Sequence, residues 1–150
     1  MDEASLYAIA LSMVPEIGSI RAKLLLDHFG NAADIFKAKR KTLEAIEGIG
    51  TIVAQSIVNW KDLAFAEAEL QLCDEHDITI LHYHHPDYPS RLRHCYDAPA
   101  VLFYKGNADL NKQKIISIIG TRNNTNYGKA ITEELLEALQ GMDVLVVSGL

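Results

Sequence analysis

The amino-acid sequence predicts an α/β protein with a small all-α domain at its N-terminal side. Residues 1–60 show short helical patterns and no convincing strand, and two stretches within them repeat each other. The remainder mixes element types, with a helix predicted at Leu63–Glu75 and strands at Ile78–Tyr83 and Val101–Tyr104. A run of helices followed by mixed strands and helices indicates two separate domains. We therefore predict a helical domain at residues 1–62 and an α/β domain at residues 63–150.

The helical domain is predicted to contain two similar hairpins. Val14–Leu25 aligns with Ile46–Ile57 at an offset of 32 residues, with hydrophobic, glycine, hydroxyl and alanine positions in register. The second copy fits the helix-hairpin-helix pattern, in which glycines permit positive φ in a tight turn. The central isoleucines, Ile17 and Ile49, are expected to be buried between two helices.

The hairpins also carry residues suited to the helices that follow them. Ser19 and Thr51 stand where a hydroxyl side chain can cap the second helix of each copy. The small side chain of Ala54 allows two helices to approach closely. The repeat therefore predicts a compact, pseudo-symmetric helical module.

A hairpin of this kind binds DNA by presenting N–H groups to a backbone phosphate, with cationic support. The first copy has cations but carries Glu16 in place of the leading glycine, which repels phosphate. The second copy has both glycines, but the helix after it has no cation. The candidate residues for this secondary DNA contact are Gly18, Arg21, Lys23, Gly48 and Gly50. A helical module that packs internally or binds a protein partner is the favoured alternative, because phosphate contacts rely heavily on Lys and Arg.

Composition excludes several classes of protein. The 150 residues are 49% hydrophobic, which is enough for a core, and the net charge of −6 argues against broad coating of nucleic acid. The two cysteines, Cys73 and Cys95, form no CxxC pair and fit a reduced, cytoplasmic protein. The apolar run Leu6–Val14 is too short to span a membrane. We expect a soluble protein without membrane contact.

One strand–helix–strand unit occupies the end of the chain. A buried strand is predicted at Ile115–Ile119, followed by the turn Gly120-Thr121-Arg122. A helix at about Tyr127–Gln140 follows, and the apolar run Val144–Val147 then leads into Ser148-Gly149. Ligands of open α/β sheets bind at the carboxyl ends of strands, and helix N-termini there favour anions. The unit therefore predicts a phosphate-bearing ligand, either a nucleotide or a nucleic-acid backbone.

The turn differs from the common phosphate loops. A dinucleotide-binding turn needs G-x-G-x-x-G, but Thr121, Arg122 and Asn123 follow Gly120. A P-loop needs four residues between its glycine and Gly-Lys, whereas seven residues separate Gly120 from Gly128. The sequence therefore makes binding of NAD or ATP less favoured, and we predict no cofactor. Alternatively, Gly120 only permits a sharp turn and Arg122 is solvated or pairs with a carboxylate.

Other reactive side chains are weighed against structural roles. His82, His84 and His85 follow a predicted strand, but no second ligand pair with defined spacing accompanies them, so no metal is predicted. Cys73 lies on a predicted helix and is interpreted as a core residue, because no cysteine–histidine arrangement of defined spacing suggests a nucleophile. We assign no catalytic residue. Tyr127 can stack on a base, as aromatic residues do in single-strand sites, or can pack on the sheet.

Several motifs, taken in order, resemble those of one family. They are Tyr88-Pro89-Ser90-Arg91-Leu92, Asp97-Ala98-Pro99, Val101–Gly106, Ile119-Gly120-Thr121-Arg122, Tyr127-Gly128 and Val147–Leu150. Their order and spacing resemble the DNA-processing protein A family (DprA, also called Smf), and the helix-hairpin-helix domain upstream fits as well. The resemblance covers essentially the whole chain.

The resemblance implies a helix-hairpin-helix (SAM-like) domain followed by the first part of an extended Rossmann-like domain. It implies a bacterial protein of natural transformation that binds and protects incoming single-stranded DNA and loads the RecA recombinase onto it. The Gly-Ser/Thr-Arg turn of the family forms part of its DNA pocket. The site residues implied for this chain, together with Tyr127, are Gly120, Thr121, Arg122, Gly128, Ser148 and Gly149.

Members of this family continue beyond Ser-Gly-Leu into further DNA contacts and a dimer surface. We therefore expect the chain to be the N-terminal part of a longer protein that forms a homodimer, and its apolar last strand to associate with other chains. Two alternatives stay open. One is a nucleotide-phosphate hydrolase on a related Rossmann-like fold, which needs a carboxylate near Arg122, and the other is a protein-interaction module.

Overall fold

A computed structural model describes residues 2–149. The chain divides into two compact units, Met1–Asn107 and Ala108–Leu150. The first unit begins with the helices α1 (Glu3–Met13), α2 (Ser19–Phe29), α3 (Ala32–Lys37), α4 (Arg40–Glu44), α5 (Thr51–Asn59) and α6 (Ala64–Glu75). It continues with β1 (Thr79–His82), α7 (Ser90–Arg93) and β2 (Val101–Tyr104). The second unit contains β3 (Ile115–Ile118), α8 (Asn126–Leu139) and β4 (Leu145–Ser148). The helices and strands expected beyond residue 62 are present, with ends that differ by one residue at most positions.

The helical region agrees with the prediction, since residues 2–60 contain helices and turns but no strand. Its core is aliphatic, and the fully buried side chains include Leu11, Leu25, Ile35, Leu43 and Ile57. The central isoleucines of the two hairpins are buried as predicted, with Ile17 and Ile49 exposing 7% and 2% of their surface. Helix α1 begins at an Asp2 cap, whose carboxylate accepts hydrogen bonds from the N–H groups of Ala4 and Ser5.

The hairpins obtain their tight turns from one residue in each copy. Glu16 has φ of 70° and the equivalent Gly48 has φ of 87°, so the left-handed position is retained although the first copy has no glycine there. Gly18 and Gly50 instead have extended backbone and are the N-caps of α2 and α5. The glycine of the pattern that requires positive φ is therefore the leading one.

The expected caps at Ser19 and Thr51 were wrong. These residues are the first helical positions of α2 and α5, one residue after the glycine caps, and neither helix has a side-chain cap. A hydroxyl caps a helix only from the extended position before the first helical residue. Ala54, by contrast, is fully buried, as the close approach of helices requires.

The first unit extends past the boundary predicted at residues 62 and 63. Helix α1 contacts α6, β1 and β2 as well as its helical neighbours α2 and α3. Leu6, Ile9 and Ala10 of α1 form a buried cluster with Ala66 of α6. Strands β1 and β2 pair antiparallel, with Ile80 opposite Phe103. Packing thus joins α6 and the β1–β2 strand pair to helix α1. The division of the chain into domains at residue 62 stays a prediction.

The second unit is the predicted strand–helix–strand unit. Strands β3 and β4 pair in parallel, with Ile115 opposite Leu145 and Ile118 opposite Ser148. The expectation that the first strand is buried was wrong, because Ile116 is 37% and Ile119 is 91% exposed. Two strands and one helix are too few to cover both faces of a parallel pair, which such sheets normally require. A complete Rossmann-like domain stays a prediction.

Candidate phosphate-binding site

An open concavity of about 740 Å³ lies at the carboxyl ends of β3 and β4. The residues that line it include Gly120, Thr121, Arg122, Gly128, Ser148 and Gly149, which are the predicted site residues apart from Tyr127. The parallel register brings the two turns together, because Ile118 and Ser148 are paired at the ends of their strands. The side chain of Tyr127 does not line the concavity and is 77% exposed, so it does not pack on the sheet.

Gly120 presents bare backbone to this space. It is not among the glycines with positive φ, so a sharp turn does not account for it. A β-carbon placed there would meet no atom within 4 Å, so packing within the chain does not account for it either. A glycine in an open concavity lets a ligand approach the main chain closely, which a side chain would hinder.

Thr125 caps the helix beside the turn. Its hydroxyl accepts a hydrogen bond from the N–H of Gly128 at 3.1 Å, and its carbonyl accepts one from the N–H of Lys129 at 3.0 Å. Gly128 suits this cap because a β-carbon there would lie 3.3 Å from the Thr125 hydroxyl. The N–H of Gly128 is therefore satisfied within the chain. Among the residues described, the N–H groups of the first two helical residues, Asn126 and Tyr127, have no partner within the helix and can face an anion.

Two hydroxyls of the site are also committed to the chain. The Thr121 hydroxyl donates to the Asn123 carbonyl at 2.8 Å, which closes the turn on itself. The Thr132 hydroxyl donates to the Gly128 carbonyl at 2.8 Å along α8. The donors left for a ligand therefore include the cationic side chains and bare backbone, but not these two hydroxyls.

Among residues 2–149, three charged side chains line the concavity, namely Arg122, Lys129 and Glu133. Within residues 2–149, Arg122 forms no ion pair, so the alternative in which it pairs with a carboxylate is not what the structure shows. The Nζ of Lys129 lies 3.9 Å from Oε1 of Glu133. A permanently charged guanidinium beside bare backbone favours an oxyanion that can accept two hydrogen bonds from it.

Sequence reasoning missed Thr125, Lys129 and Glu133. A signal for the first was available, since a threonine just before a helix is a common N-cap. Lys129 and Glu133 are four residues apart on one helix, so they share a face. That this face looks into the concavity required the three-dimensional structure.

The hairpin cations are bonded within the helical region. Nη1 of Arg21 donates to the Glu16 carbonyl at 2.6 Å and lies 3.7 Å from the Glu16 carboxylate. The Lys23 ammonium donates to the Asp27 carboxylate at 2.5 Å, and this hydrogen bond raises the pKa of Lys23. Around Gly18 and Gly50 a β-carbon would meet nothing within 4 Å, whereas one at Gly48 would lie 3.2 Å from Leu24. The hairpins thus leave open backbone at Gly18 and Gly50, but the cations of the first copy are engaged within the chain.

The histidines and cysteines form no cluster suited to a metal ion among the residues described. The rings of His82 and His85 meet edge to face with centroids 5.5 Å apart, and His85 Nδ1 accepts a hydrogen bond from the N–H of Asp87 at 3.1 Å. Cys73 is buried in α6, as predicted, and burial raises the pKa of its thiol. No helix in the described part of the chain is long and apolar enough to cross a membrane.

Two family models match this chain in adjoining segments. Residues 6–68 match the helix-hairpin-helix motif, from within α1 to the start of α6, and this segment includes both hairpins. Residues 79–150 match the model of DNA recombination-mediator protein A, which includes the whole candidate site.

Individual relatives agree with these models. The chain is 28% identical over 148 residues to the protein Smf of Synechocystis sp., a match that covers 96% of this chain and 37% of that protein. It is 45% identical over 64 residues to the DNA processing protein DprA of Bacillus subtilis and 40% identical over 63 residues to that of Streptococcus pneumoniae. Each of these two matches covers 42% of this chain and 22% of the relative. The chain thus spans little more than a third of the Smf relative, and the family model and these relatives together support the DNA-processing protein A family, DprA/Smf, for this chain.

Proposed function

We propose that this chain carries a single-stranded-DNA-binding site of a recombination mediator that acts in natural transformation. In this proposal the protein works in the cytoplasm, protects incoming DNA and loads the RecA recombinase onto it. One observation supports the site above all others. The open backbone of Gly120 and the guanidinium of Arg122, which has no ion pair in the described chain, share a concavity at the ends of two parallel strands.

The chemistry of the concavity suits a phosphodiester. Arg122 donates two hydrogen bonds to one phosphate, and the main chain at Gly120 allows the phosphate to approach. The N–H groups at the start of α8 and the helix dipole stabilise the same negative charge. Affinity then depends strongly on salt and little on sequence, because the contacts are to the backbone of the nucleic acid.

Preference for a single strand follows from the exposed aromatic side chain next to the site. Tyr127 is 77% exposed at the start of α8, and an unpaired base can stack on its ring. Bases in a duplex are already stacked on each other and are not available for this contact. The side chain thus adds affinity that a double strand does not gain.

The test is a titration of the chain with fluorescent oligothymidylate and with a duplex of equal length at several salt concentrations. We expect tighter binding to the single strand and a negative log–log slope against salt. Equal affinity for both forms, or affinity that does not respond to salt, would contradict the proposal.

We assign the helical region a packing or protein-contact role. The cations of its first hairpin, Arg21 and Lys23, are bonded to Glu16 and Asp27, and the second hairpin offers glycines without a cation. Releasing these cations for phosphate would cost the hydrogen bonds they already make. Gly18, Gly48 and Gly50 accordingly shape the hairpins in this proposal rather than contact DNA.

One observation favours a second function, a nucleotide-phosphate hydrolase. The sequence showed no carboxylate motif near Arg122, but Glu133 lines the same concavity and could act on an attacking water. The test is release of inorganic phosphate from nucleotides by the chain and by Glu133→Gln. Turnover that disappears in the variant would support the hydrolase, whereas no phosphate release by the unmodified chain would exclude it for the nucleotides tried.

A further inference from the structure

We infer that Lys129 is a second phosphate-binding cation of the site and that Glu133 restrains it, so that DNA displaces Glu133 as the partner of Lys129. This inference rests on the proposed DNA-binding function and adds two residues to it. Both side chains line the concavity together with Arg122. The juxtaposition places two cations and one carboxylate around a space suited to an anion.

The Lys129–Glu133 pair is poorly built as a structural ion pair. Its atoms are 3.9 Å apart, whereas the other pairs of this spacing, Lys23–Asp27 and Arg40–Glu44, lie at 2.5 and 2.7 Å. Both side chains are largely exposed, at 68% and 62%. An exposed pair of this length contributes little to folding. Lys129 can therefore leave Glu133 without loss of the helix.

The position of Lys129 in α8 is also unfavourable for a structural ion pair. A lysine followed four residues later by glutamate is the less favourable order on a helix. Lys129 is also close to the helix N-terminus, where the dipole disfavours a cation. A bound phosphate would remove this conflict, because it supplies negative charge at the same end of the helix.

Glu133 has the opposite effect on a ligand. It is the only acidic side chain that lines the concavity within the described residues, and it faces the space that an anion would occupy. Its charge repels phosphate and competes for Lys129. The carboxylate thus lowers affinity and makes release of DNA faster, which suits a protein that passes its DNA to another.

The experiment compares four single variants in oligothymidylate titrations. Lys129→Ala is expected to weaken binding about three- to tenfold and to lower the salt slope by about 0.7, the value for one contact to a single strand. Glu133→Gln is expected to strengthen binding about two- to fivefold, since one like charge is removed from the concavity. The matched controls are Lys114→Ala, before β3 and away from the concavity, and Glu134→Gln, beside Glu133 but not lining it. Both controls should bind as the unmodified chain does.

Two further variants test whether Glu133 acts through Lys129. Lys129→Arg should keep the affinity, because it keeps the charge. The gain from Glu133→Gln should be smaller when Lys129 is already alanine, since the two residues are coupled. Melting temperatures should stay unchanged throughout, which separates a ligand effect from loss of folded protein.

The outcomes distinguish this inference from the function on which it rests. If Arg122→Ala weakens binding while Lys129→Ala and Glu133→Gln do not change it, the inference is wrong and the function stands. Equal gains from Glu133→Gln and Glu134→Gln would also overturn the inference, because they would show only an effect of net charge. If neither Arg122→Ala nor Lys129→Ala changes binding, the function and the inference both fail.

Discussion

Arg122 is the residue on which the proposed site depends most. It lies in the turn after β3, lines the concavity, and has no carboxylate partner among the residues described. A cation that neither pairs nor packs contributes little to the core. In the proposed site, a ligand rather than folding accounts for its place beside the bare backbone of Gly120.

Replacing Arg122 by alanine should therefore separate binding from stability. We expect Arg122→Ala to weaken binding of single-stranded DNA by roughly 1–3 kcal/mol, the loss of one charge-assisted contact. The melting temperature should barely change. Both quantities are measured on one preparation, with Lys114→Ala as the charge-matched control. A folded variant with unchanged affinity would remove Arg122 from the site.

Among the elements, the two hairpins show how the same turn is made by different residues. Glu16 adopts φ of 70° without being glycine, and its carbonyl is held by Arg21 at 2.6 Å. Gly48 takes φ of 87° in the second copy, where its α-carbon faces Leu24. The geometry that the two copies share thus carries a side chain in the first copy, where Arg21 holds the Glu16 carbonyl, and meets Leu24 in the second.

This difference predicts unequal effects of alanine at the two glycines of the second hairpin. Gly48→Ala should lower the free energy of unfolding by about 1–2 kcal/mol, since left-handed backbone disfavours a side chain. Crowding against Leu24 at 3.2 Å adds to the loss. Gly50→Ala should cost less, about 0.5–1 kcal/mol for a poorer N-cap, because its backbone is extended and its surroundings are open. Denaturant titrations measure both, and equal losses would contradict the assignment of the turn.

At the scale of the molecule, the first unit should lose stability in weak acid. Burial lowers the pKa values of His82 and His84 from 6.5. His85 and His84 lower that of His82 further while Asp2 raises it, and Arg93 lowers that of His84 while Asp27 raises it. A group whose folded pKa lies below its unfolded value binds protons more readily when unfolded, so acid favours unfolding.

The stabilisation from these neutral histidines is complete above pH 6.5 and is lost as the pH falls from 6.5 through the folded pKa values. Melting temperatures measured between neutral and weakly acid pH should therefore decrease toward acid. His82→Gln and His84→Gln should each flatten this dependence, whereas His94→Gln, an exposed position, serves as the control. A dependence that His82→Gln and His84→Gln both leave unchanged would refute the assignment.

The chain as a whole should also associate with itself. Apolar side chains of the second unit are largely exposed, and they include Ile119, Ile131, Leu135, Met142 and Val147. In the described residues, β3 and β4 each pair with one neighbour only, so each leaves an edge open. Apolar surface and open edges both favour pairing between chains. Light scattering should show a mass that rises with concentration, and a concentration-independent monomer would contradict this prediction.

The sequence by itself determined the local elements and much of the candidate site. Apolar periodicity placed α6, β2 and α8 to within about one residue, because the burial of a helix or strand leaves its period in the sequence. The internal repeat identified Ile17 and Ile49 as buried, since a shared core selects the same positions in both copies. The turn at Gly120–Arg122 was recognised from consecutive residues, and the family from the order and spacing of several short motifs along the chain.

Only the tertiary structure decided which residues meet across the chain. It joined α6 and the β1–β2 pair to the helices, because α1 buries its side chains against them. It showed that Gly128 has already given its N–H to Thr125 and that Lys129 and Glu133 face the same concavity as Arg122. Sequence periodicity specifies which face of an element is apolar, but packing between distant segments decides what that face contacts. The charged residues that surround the site could therefore be identified only from the tertiary structure.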